Sequence, residues 1–341
     1  MNRPKLCLFI FSLLTLSTLS FSHAEDAPKP PDAKPVEFTR IEDVVYGRKF
    51  GMALTLDVIK PKENANGLGI IYVMSGGWVS SHDWVAGTAS GLGQAYLKRG
   101  YTIFAVCHGC QPKYTIPEVV KDMTRAVRFI RLHAKEYGVD PEKLGITGSS
   151  AGGHLSCMMG TNTDTGDPKS KDPVEQMSSR VACVACFYPP TDFFNYGKEG
   201  ENAVGKGTLK DYAAPFDFKD FDKEKKVFER ITDEAKINEI VKSISPAWRV
   251  TKDSAPTLIA HGDVDKLVPI QQAEVFLAKL KDAGVDGKLI THKDGSHGWK
   301  DQKVEAEQFA DWFDAHLKVA PVAATAPATP VQEKVAEPVA K

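Results

Sequence analysis

The segment from Leu144 to His154, which reads L-G-I-T-G-S-S-A-G-G-H, constrains the fold of this chain more than any other stretch. A short apolar run leads into Ser150, and a helix-like segment follows it. A serine on a very tight strand-to-helix turn takes a strained backbone conformation, in which side chains two positions away would clash. Glycine at Gly148 and Gly152 removes that clash. The pattern therefore predicts a strand, a sharp turn that carries Ser150, and a helix whose first N–H groups point towards its hydroxyl.

Two later segments offer the partners that a reactive serine needs. Asp265 lies in H-G-D-V-D after an apolar run, and His297 lies in G-S-H-G-W after another strand-like run. A serine hydroxyl is a poor nucleophile unless a base takes its proton and a carboxylate orients that base. We therefore assign Ser150 as nucleophile, His297 as general base and acid, and Asp265 as the orienting carboxylate. Asp263 and Asp294 are the alternatives for the orienting carboxylate, although either could instead be a turn or capping residue.

Four segments between residues 42 and 317 carry a resemblance to a known family. They are 122–155, with G-S-S-A-G-G-H-L; 261–269, with H-G-D-V-D-K-L-V-P; 296–298, with S-H-G; and 70–78, with I-I-Y-V-M-S-G-G-W. Together they resemble the esterase and lipase branch of the α/β-hydrolase superfamily, which includes hormone-sensitive-lipase-like and BD-FAE-like carboxylesterases. The resemblance implies an α/β-hydrolase fold, an acid at Asp265 and no metal or organic cofactor.

The segment 70–78 departs from the family pattern at two positions. Met74 stands where the motif has histidine, and Ser75 stands where it has its first glycine. The resemblance implies an oxyanion hole built from the backbone N–H groups of Gly76, Gly77 and Ala151. Because these donors belong to the backbone, the two side-chain changes do not delete them, although they could alter how the loop is held.

Eight short runs of β-branched or apolar residues predict strands, and helical patterns lie between them. The runs are 42–46, 54–59, 69–74, 102–107, 144–148, 181–187, 257–260 and 288–292. Alternation of this kind predicts an α/β protein whose mostly parallel eight-stranded sheet carries helices on both faces. Ligands of such sheets bind beyond the carboxyl ends of the strands, where the serine, the aspartate and the histidine all fall.

The segment 192–243 interrupts this alternation. It is long, polar and rich in aromatic residues. A long insertion in a compact domain is usually functional or mobile, so we expect a cap or lid over the active face. A helical excursion that packs on one edge without touching substrate is the alternative. Trp78 and Trp84 could line the substrate pocket or equally cover the core.

The two ends of the chain read as segments outside the catalytic domain. Residues 1–24 combine Arg3 and Lys5, an apolar run too short to cross a bilayer, and small residues at a cleavage site. This pattern predicts a signal peptide and a secreted or periplasmic protein with no stable membrane span after cleavage. Residues 25–36 read as a Pro-rich linker, 37–318 as the hydrolase domain and 319–341 as a disordered Ala/Pro-rich tail.

Composition and cysteine spacing argue against a nucleic-acid-binding protein and against a metal site shared by the cysteine pairs. The formal net charge is −1 and no basic run stands out, so nucleic acid is not an expected partner. Two C-x-x-C pairs, 107–110 and 183–186, could suggest a metal site. In the family's strand order two other strands separate them by roughly 14 Å, too far for one ion. The spacing allows a disulfide between Cys107 and Cys110 but does not decide whether it forms.

These patterns together predict a serine carboxylic-ester hydrolase that acts on small-molecule or carbohydrate-linked esters through an acyl-enzyme. One alternative is a serine peptidase of prolyl-oligopeptidase-like type, which shares this catalytic domain. Another is a non-catalytic binding protein built on the same fold. The sequence does not specify the acyl chain, the alcohol or the oligomeric state.

Overall fold

A mixed β-sheet forms the centre of the structure, which is a computed structural model that describes residues 34–318. The chain forms strands Phe38–Lys49 (β1), Met52–Pro61 (β2), Gly69–Val73 (β3), Thr102–Val106 (β4), Leu144–Thr147 (β5), Cys183–Phe187 (β6), Lys219–Asp222 (β7), Val227–Arg230 (β8), Thr257–Gly262 (β9) and Gly287–His292 (β10). Eight of them make the main sheet in the order β1-β2-β4-β3-β5-β6-β9-β10. β2 runs antiparallel to both of its neighbours, and the remaining pairs are parallel. The predicted α/β-hydrolase architecture, with a mostly parallel eight-stranded sheet, is confirmed.

Helices cover both faces of this sheet. They are Asp83–Ser90 (α1), Gln94–Leu97 (α2), Ile116–His133 (α3), Ala151–Gly160 (α4), Glu234–Ile244 (α5), Gln271–Asp282 (α6) and Lys303–Leu317 (α7). The apolar residues of α3, α4 and α6 share one core cluster, and those of α1, α2 and α7 share the other. The central strand β4 serves both clusters, because Phe104 and Val106 point to the first while Ile103 and Ala105 point to the second. A strand buried on both faces needs such a continuous apolar run.

Helix α3 shows how the sequence sets these elements. Thr115 caps it, since its backbone N–H donates to the Glu118 carboxylate at 2.8 Å in a capping box. Four apolar residues at helical spacing face the sheet and are fully buried: Val119, Met123, Val127 and Ile130. The opposite face carries the charged residues Lys121, Arg125 and Arg128.

The inserted segment 192–243 contains short 3₁₀ turns, the separate hairpin β7–β8 and helix α5. Phe193 and Phe216 bury their rings against Trp78 from the main domain. The segment is therefore packed onto the domain on the side where β3 and β5 end. The hairpin was not expected from the sequence.

Several predicted segments lie outside the described residues. They are the signal peptide 1–24, most of the linker 25–36 and the tail 319–341, which stay predictions. Within residues 34–318, no helix is long and apolar enough to cross a membrane.

Candidate active site

Ser150 occupies the sharp turn between β5 and α4. Its backbone has φ 55° and ψ −118°, a conformation that a residue with a side chain rarely adopts. The Ser150 N–H donates to the Phe187 carbonyl at 3.0 Å, and the His154 N–H donates to the Ser150 carbonyl at 2.8 Å. The strained turn is thus held between the end of β6 and the first turn of α4.

Two flanking glycines are required by close backbone contacts. A Cβ on Gly148 would lie 2.7 Å from the carbonyl carbon and oxygen of Gly152. A Cβ on Gly152 would lie 2.9 Å from the Val73 carbonyl oxygen and 3.2 Å from that of Ser75. Backbone atoms cannot move aside as a flexible side chain can. The G-x-S-x-G spacing therefore has the steric origin that the sequence indicated.

This crowding leads to a stability prediction. We expect Gly152→Ala to lower the free energy of unfolding by about 1–3 kcal/mol, because the added methyl forces α4 away from β3. Urea unfolding monitored by circular dichroism measures the change. Gly87→Ala is the matched control, since a Cβ on Gly87 in the exposed helix α1 meets nothing within 4 Å. That variant should gain about 0.4–1 kcal/mol, and an equal loss in both would refute the steric account.

The three residues predicted as a triad lie within hydrogen-bonding distance of one another. The Oγ of Ser150 is 2.9 Å from Nε2 of His297, and Nδ1 of His297 is 2.8 Å from Oδ2 of Asp265. A carboxylate can only accept here, so Nδ1 carries the imidazole proton and Nε2 is free to accept from the serine. The Asp265 side chain is fully buried and that of His297 is 21% exposed. The arrangement can move a proton from the serine hydroxyl towards His297.

The structure distinguishes Asp265 from its two rivals. Its second oxygen, Oδ1, accepts from the N–H groups of Leu267 and Val268, each at 2.9 Å. These bonds fix the carboxylate in its plane beside His297. Asp263 and Asp294 are exposed, and neither contacts the imidazole within hydrogen-bonding distance.

Two further residues lie against the His297–Asp265 pair, and the sequence reasoning gave neither of them a role in the site. The ring of Tyr188 lies 4.6 Å from that of His297, between centroids. His261 is fully buried, donates Nε2–H to the Val268 carbonyl at 2.7 Å and lies 3.6 Å from Asp265. Burial lowers the pKa of His261, which keeps it neutral beside the carboxylate. No spacing rule in the sequence marks Tyr188.

The three predicted oxyanion donors differ in availability. The N–H of Gly76 donates to the Val79 carbonyl at 3.0 Å in a small antiparallel bridge. The N–H groups of Gly77 and Ala151 have no acceptor among the described residues, and both residues line the cavity beside Ser150. Gly76 is therefore corrected from a donor to a residue that shapes the loop, and Gly77 and Ala151 remain available.

Trp78 lines the cavity beside Ser150, as predicted, and also packs deeply in the fold. It is 2% exposed, and its indole N–H donates to Nδ1 of His154 at 3.2 Å. His154 in turn donates from Nε2 to the Ile244 carbonyl at 2.7 Å. Burial lowers the pKa of His154 to about 4, so the ring stays neutral. This chain of bonds ties the oxyanion loop, helix α4 and the end of α5 together.

The cavity beside Ser150 is nearly closed by the inserted segment. Its volume is about 10 Å³, which admits about one water molecule. Tyr196, Leu209 and Tyr212 of the insertion line it together with Leu267 and Val268. Tyr212 lies directly over the oxyanion loop, since a Cβ on Gly77 would be 2.6 Å from its ring.

Trp84 lies in a separate groove on the His297 side of the site. The groove has a volume of about 550 Å³ and is also lined by Trp299, Lys300 and Gln302. Trp84 is 42% exposed, and its ring would be 3.7 Å from a Cβ on Gly76. The two predicted tryptophans thus line different spaces: Trp78 lines the closed cavity under the insertion, while Trp84 offers an exposed indole in the groove.

Other groups that could bind a metal are already engaged. Asp43, Asp57 and His82 place one ligand atom each within 4.8 Å of one another. Both oxygens of Asp57 are occupied, one by Arg40 at 2.6–2.7 Å and the other by the Asp43 N–H at 3.0 Å. We therefore assign no metal to this group. The five cysteines of the described part, including Cys107 and Cys110, are free thiols.

Comparison with known proteins identifies a family for this chain. The family model BD-FAE matches residues 56–280. Among curated proteins, the probable carboxylic ester hydrolase LipM of Mycobacterium tuberculosis is 28% identical over 70% of this chain and 51% of its own length. The isoprenylcysteine alpha-carbonyl methylesterase of Arabidopsis thaliana is 21% identical over 71% of this chain and 53% of its own. This chain spans about half the length of the curated relatives it matches.

Solved structures show the same fold. A truncated carbohydrate esterase from gut microbiota superposes with a TM-score of 0.67 at 24% identity, covering 84% of this chain and 99% of its own. A thermophilic esterase from Thermogutta terrifontis gives a TM-score of 0.59 at 22% identity, covering 84% of this chain and 96% of its own.

Proposed function

This chain belongs to the BD-FAE family of α/β-hydrolases, and from that premise we propose that it is a serine carboxylic-ester hydrolase. The observation that carries the proposal is the continuous relay Ser150–His297–Asp265, with hydrogen bonds of 2.9 and 2.8 Å. The named activities of the matched relatives support it.

In the proposed reaction, Oγ of Ser150 attacks the ester carbonyl while Nε2 of His297 takes the hydroxyl proton. The Asp265 carboxylate stabilises the imidazolium that results. The carbonyl oxygen becomes an oxyanion, which the N–H groups of Gly77 and Ala151 stabilise together with the N-terminus of α4.

Collapse of the tetrahedral intermediate breaks the bond between the carbonyl carbon and the leaving oxygen. His297 gives its proton to that oxygen, and the alcohol departs from an acyl-Ser150 intermediate. Water then attacks the acyl carbon while His297 takes its proton, the bond from the acyl carbon to Oγ breaks, and His297 returns the proton to Oγ of Ser150 as the carboxylic acid leaves. These steps balance without a metal or organic cofactor.

The small cavity beside Ser150 restricts the acyl side of the ester. Room for about one water molecule matches the methyl group of an acetyl ester but no longer chain. Leu209 and Tyr212 close this space from the insertion. We therefore propose that the insertion acts as a cap that selects short acyl groups.

Leu209→Ala tests this selection. We expect the ratio of kcat/KM for the butyryl nitrophenyl ester to that for the acetyl ester to rise about tenfold, because two methylenes gain room at about 0.8 kcal/mol each. A ratio within one variant is independent of how much of that variant is folded. Phe221→Ala, on the exposed hairpin of the same insertion, is the control and should leave the ratio unchanged. An unchanged ratio in Leu209→Ala would remove Leu209 from the acyl site.

The groove at Trp84 suits the alcohol side of the ester. Gln302 in its lining donates to the Tyr188 hydroxyl at 3.2 Å, and Tyr188 packs on His297, which protonates the leaving alcohol. An exposed indole with lysine and glutamine side chains matches a sugar ring, which has an apolar face and hydroxyl edges. We therefore propose carbohydrate-linked esters as substrates.

Trp84→Ala should raise KM for an acetylated xylo-oligosaccharide about three- to tenfold, because it removes an aromatic stacking surface. KM for 4-nitrophenyl acetate, which has no sugar, should change less than twofold. Trp248→Ala is the matched control, since Trp248 is similarly exposed but does not line the groove. Equal changes for both substrates would argue against a sugar subsite.

The proposed function also includes export. The pattern of residues 1–24 supports a cleaved signal peptide, so we propose that the enzyme acts in the periplasm or outside the cell. N-terminal sequencing of the protein from the extracytoplasmic fraction tests this. A start at residue 1 would contradict it.

A panel of acyl nitrophenyl esters and prolyl and alanyl peptide anilides tests the activity itself. We expect hydrolysis of the acetyl ester and no hydrolysis of the anilides. Cleavage of anilides with a kcat/KM similar to that of the ester would favour the peptidase alternative. No hydrolysis of any substrate by folded protein would favour the binding-protein alternative.

A further inference from the structure

A second cavity of about 580 Å³ lies between the β1–β2 turn, helix α3, the end of α4 and the segment after α5. It shares no lining residue with the cavity beside Ser150 or with the groove at Trp84. We refer to it as the α3 cavity. Nothing in the proposed ester hydrolysis uses it.

The lining of the α3 cavity is strongly cationic. Its acidic members are Asp122, Asp164 and Glu175. Its basic members are Arg48, Lys49, Lys121, Arg125, Arg128 and Arg249. Six bases face three acids in the lining, and Asp172 next to it pairs with Arg125 at 2.8 Å, so a surplus of two positive charges remains on a chain whose net charge is −1.

All three acids form ion pairs with bases of the lining. Lys49 lies 2.5 Å from Asp122, Arg125 lies 2.7 Å from Glu175, and Arg128 lies 2.6 Å from Asp164. Arg128 also contacts Glu175. A structural network of ion pairs accounts for these six residues but not for the others.

The remaining bases have no counter-ion. Among residues 34–318, no carboxylate lies within 4.0 Å of the cationic groups of Arg48, Lys121 or Arg249. Arg48 and Lys121 are exposed and can be solvated. Arg249 is half-buried, so removing its charge from water costs more free energy than it does for the two exposed bases.

Arg249 makes only one hydrogen bond, from Nη1 to the Ser243 carbonyl at 3.3 Å. Its Nε is buried and has no acceptor in the part of the chain that the structure describes, and the same holds for Nε of the nearly buried Arg128. Burial lowers the pKa of Arg249, since no negative charge offsets the loss of water. An uncompensated, partly desolvated guanidinium is destabilising unless something else pairs with it.

We propose that the α3 cavity binds a small molecule carrying at least two negative charges, with Arg249 as its main contact and Arg48 and Lys121 at the rim. A guanidinium presents a planar fork that suits phosphate and carboxylate oxygens alike, so the shared chemistry is a multivalent oxyanion. The cavity volume admits a group larger than inorganic phosphate, such as a phosphorylated or polycarboxylated small molecule. Because Arg249 follows the insertion and Lys121 belongs to α3, the anion would bridge the return of the insertion to the main domain.

Calorimetric titration of the full chain with pyrophosphate and with citrate, at constant ionic strength, tests the proposal. We expect saturable binding of at least one of them at a single site, and the stronger of the two identifies phosphate or carboxylate chemistry. Sorbitol, which is uncharged, should not bind. Arg249→Gln should raise the dissociation constant about tenfold or more, because it removes a charge-assisted hydrogen bond.

Lys252→Gln is the matched control, because it removes the same charge from an exposed position nearby that does not line the cavity. Its dissociation constant should equal that of the unaltered protein. If Arg249→Gln fails to fold, Lys121→Gln on the exposed rim replaces it. We expect that variant to raise the dissociation constant about threefold. Absence of saturable binding, or equal weakening in Lys252→Gln, would overturn the proposal. Ester turnover is measured separately, so neither result bears on the proposed hydrolase.

Discussion

Ser150→Ala is expected to lower kcat for acetyl ester hydrolysis by about 10⁴–10⁶-fold. The substitution removes the attacking oxygen and leaves every other group of the site in place. The remaining rate would come from the N–H donors of Gly77 and Ala151 and from substrate positioning. Steady-state hydrolysis of 4-nitrophenyl acetate measures the change, with KM expected to stay within a few-fold.

The unfolding free energy should change by less than about 0.5 kcal/mol, because alanine at this position keeps the same strained φ. His297→Ala should lose about as much turnover, and the double variant should lose little more than either single one, since the two residues act as a unit. A folded Ser150→Ala protein with kcat within tenfold of the original would show that the nucleophile lies elsewhere.

Asp265→Asn is expected to lower kcat by about 10⁴-fold at neutral pH. The asparagine can offer its N–H₂ to His297, which favours the imidazole tautomer that carries its proton on Nε2. That nitrogen lies 2.9 Å from Ser150 and can then no longer accept the hydroxyl proton. The same ester assay measures the loss, and the fold should persist because Oδ1 can still accept from Leu267 and Val268.

Asp263→Asn provides the matched control for this prediction. Asp263 lies two residues away in the same turn, but it is exposed and makes no hydrogen bond to His297. Its kcat should stay within about twofold of the original, as surface substitutions usually do. Equal losses in both variants would mean that charge in the turn matters and that the contact with the imidazole does not.

The parts of the site that the sequence predicted are those set by local rules. Gly148 and Gly152 mark the elbow because any Cβ there meets backbone. Asp265 follows β9 and His297 follows β10, and parallel strands bring their carboxyl ends to one edge of the sheet. The geometry of the relay follows from these placements, which is why three residues distant in sequence could be named together.

The oxyanion loop shows where such rules stop. Gly76 and Gly77 are adjacent and identical in type, so sequence alone gave no reason to separate them. Their difference arises from a bridge between Gly76 and Val79, which consumes one N–H and leaves the other free. Whether a backbone donor is free depends on the path of the loop, and side-chain type carries little information about that path.

The inserted segment was the least predictable region. Its hairpin β7–β8 reads K-D-F-D and V-F-E-R, with seven of eight residues exposed, so it lacks the apolar alternation that marks a half-buried strand. Leu209 reaches the cavity through a contact between the insertion and the domain, which no periodicity encodes. Trp78 and Trp84 were equivalent in the sequence, and it is the packing of Phe193, Phe216 and Tyr212 on Trp78 that separates a buried ring from an exposed one.

Peptide mapping by mass spectrometry after labelling with a fluorophosphonate identifies the nucleophilic residue itself. We expect one adduct per chain, located on Ser150, and no adduct in Ser150→Ala. An unlabelled protein that still hydrolyses acetyl esters, or an adduct on a different residue, would contradict the assignment of Ser150 as the nucleophile.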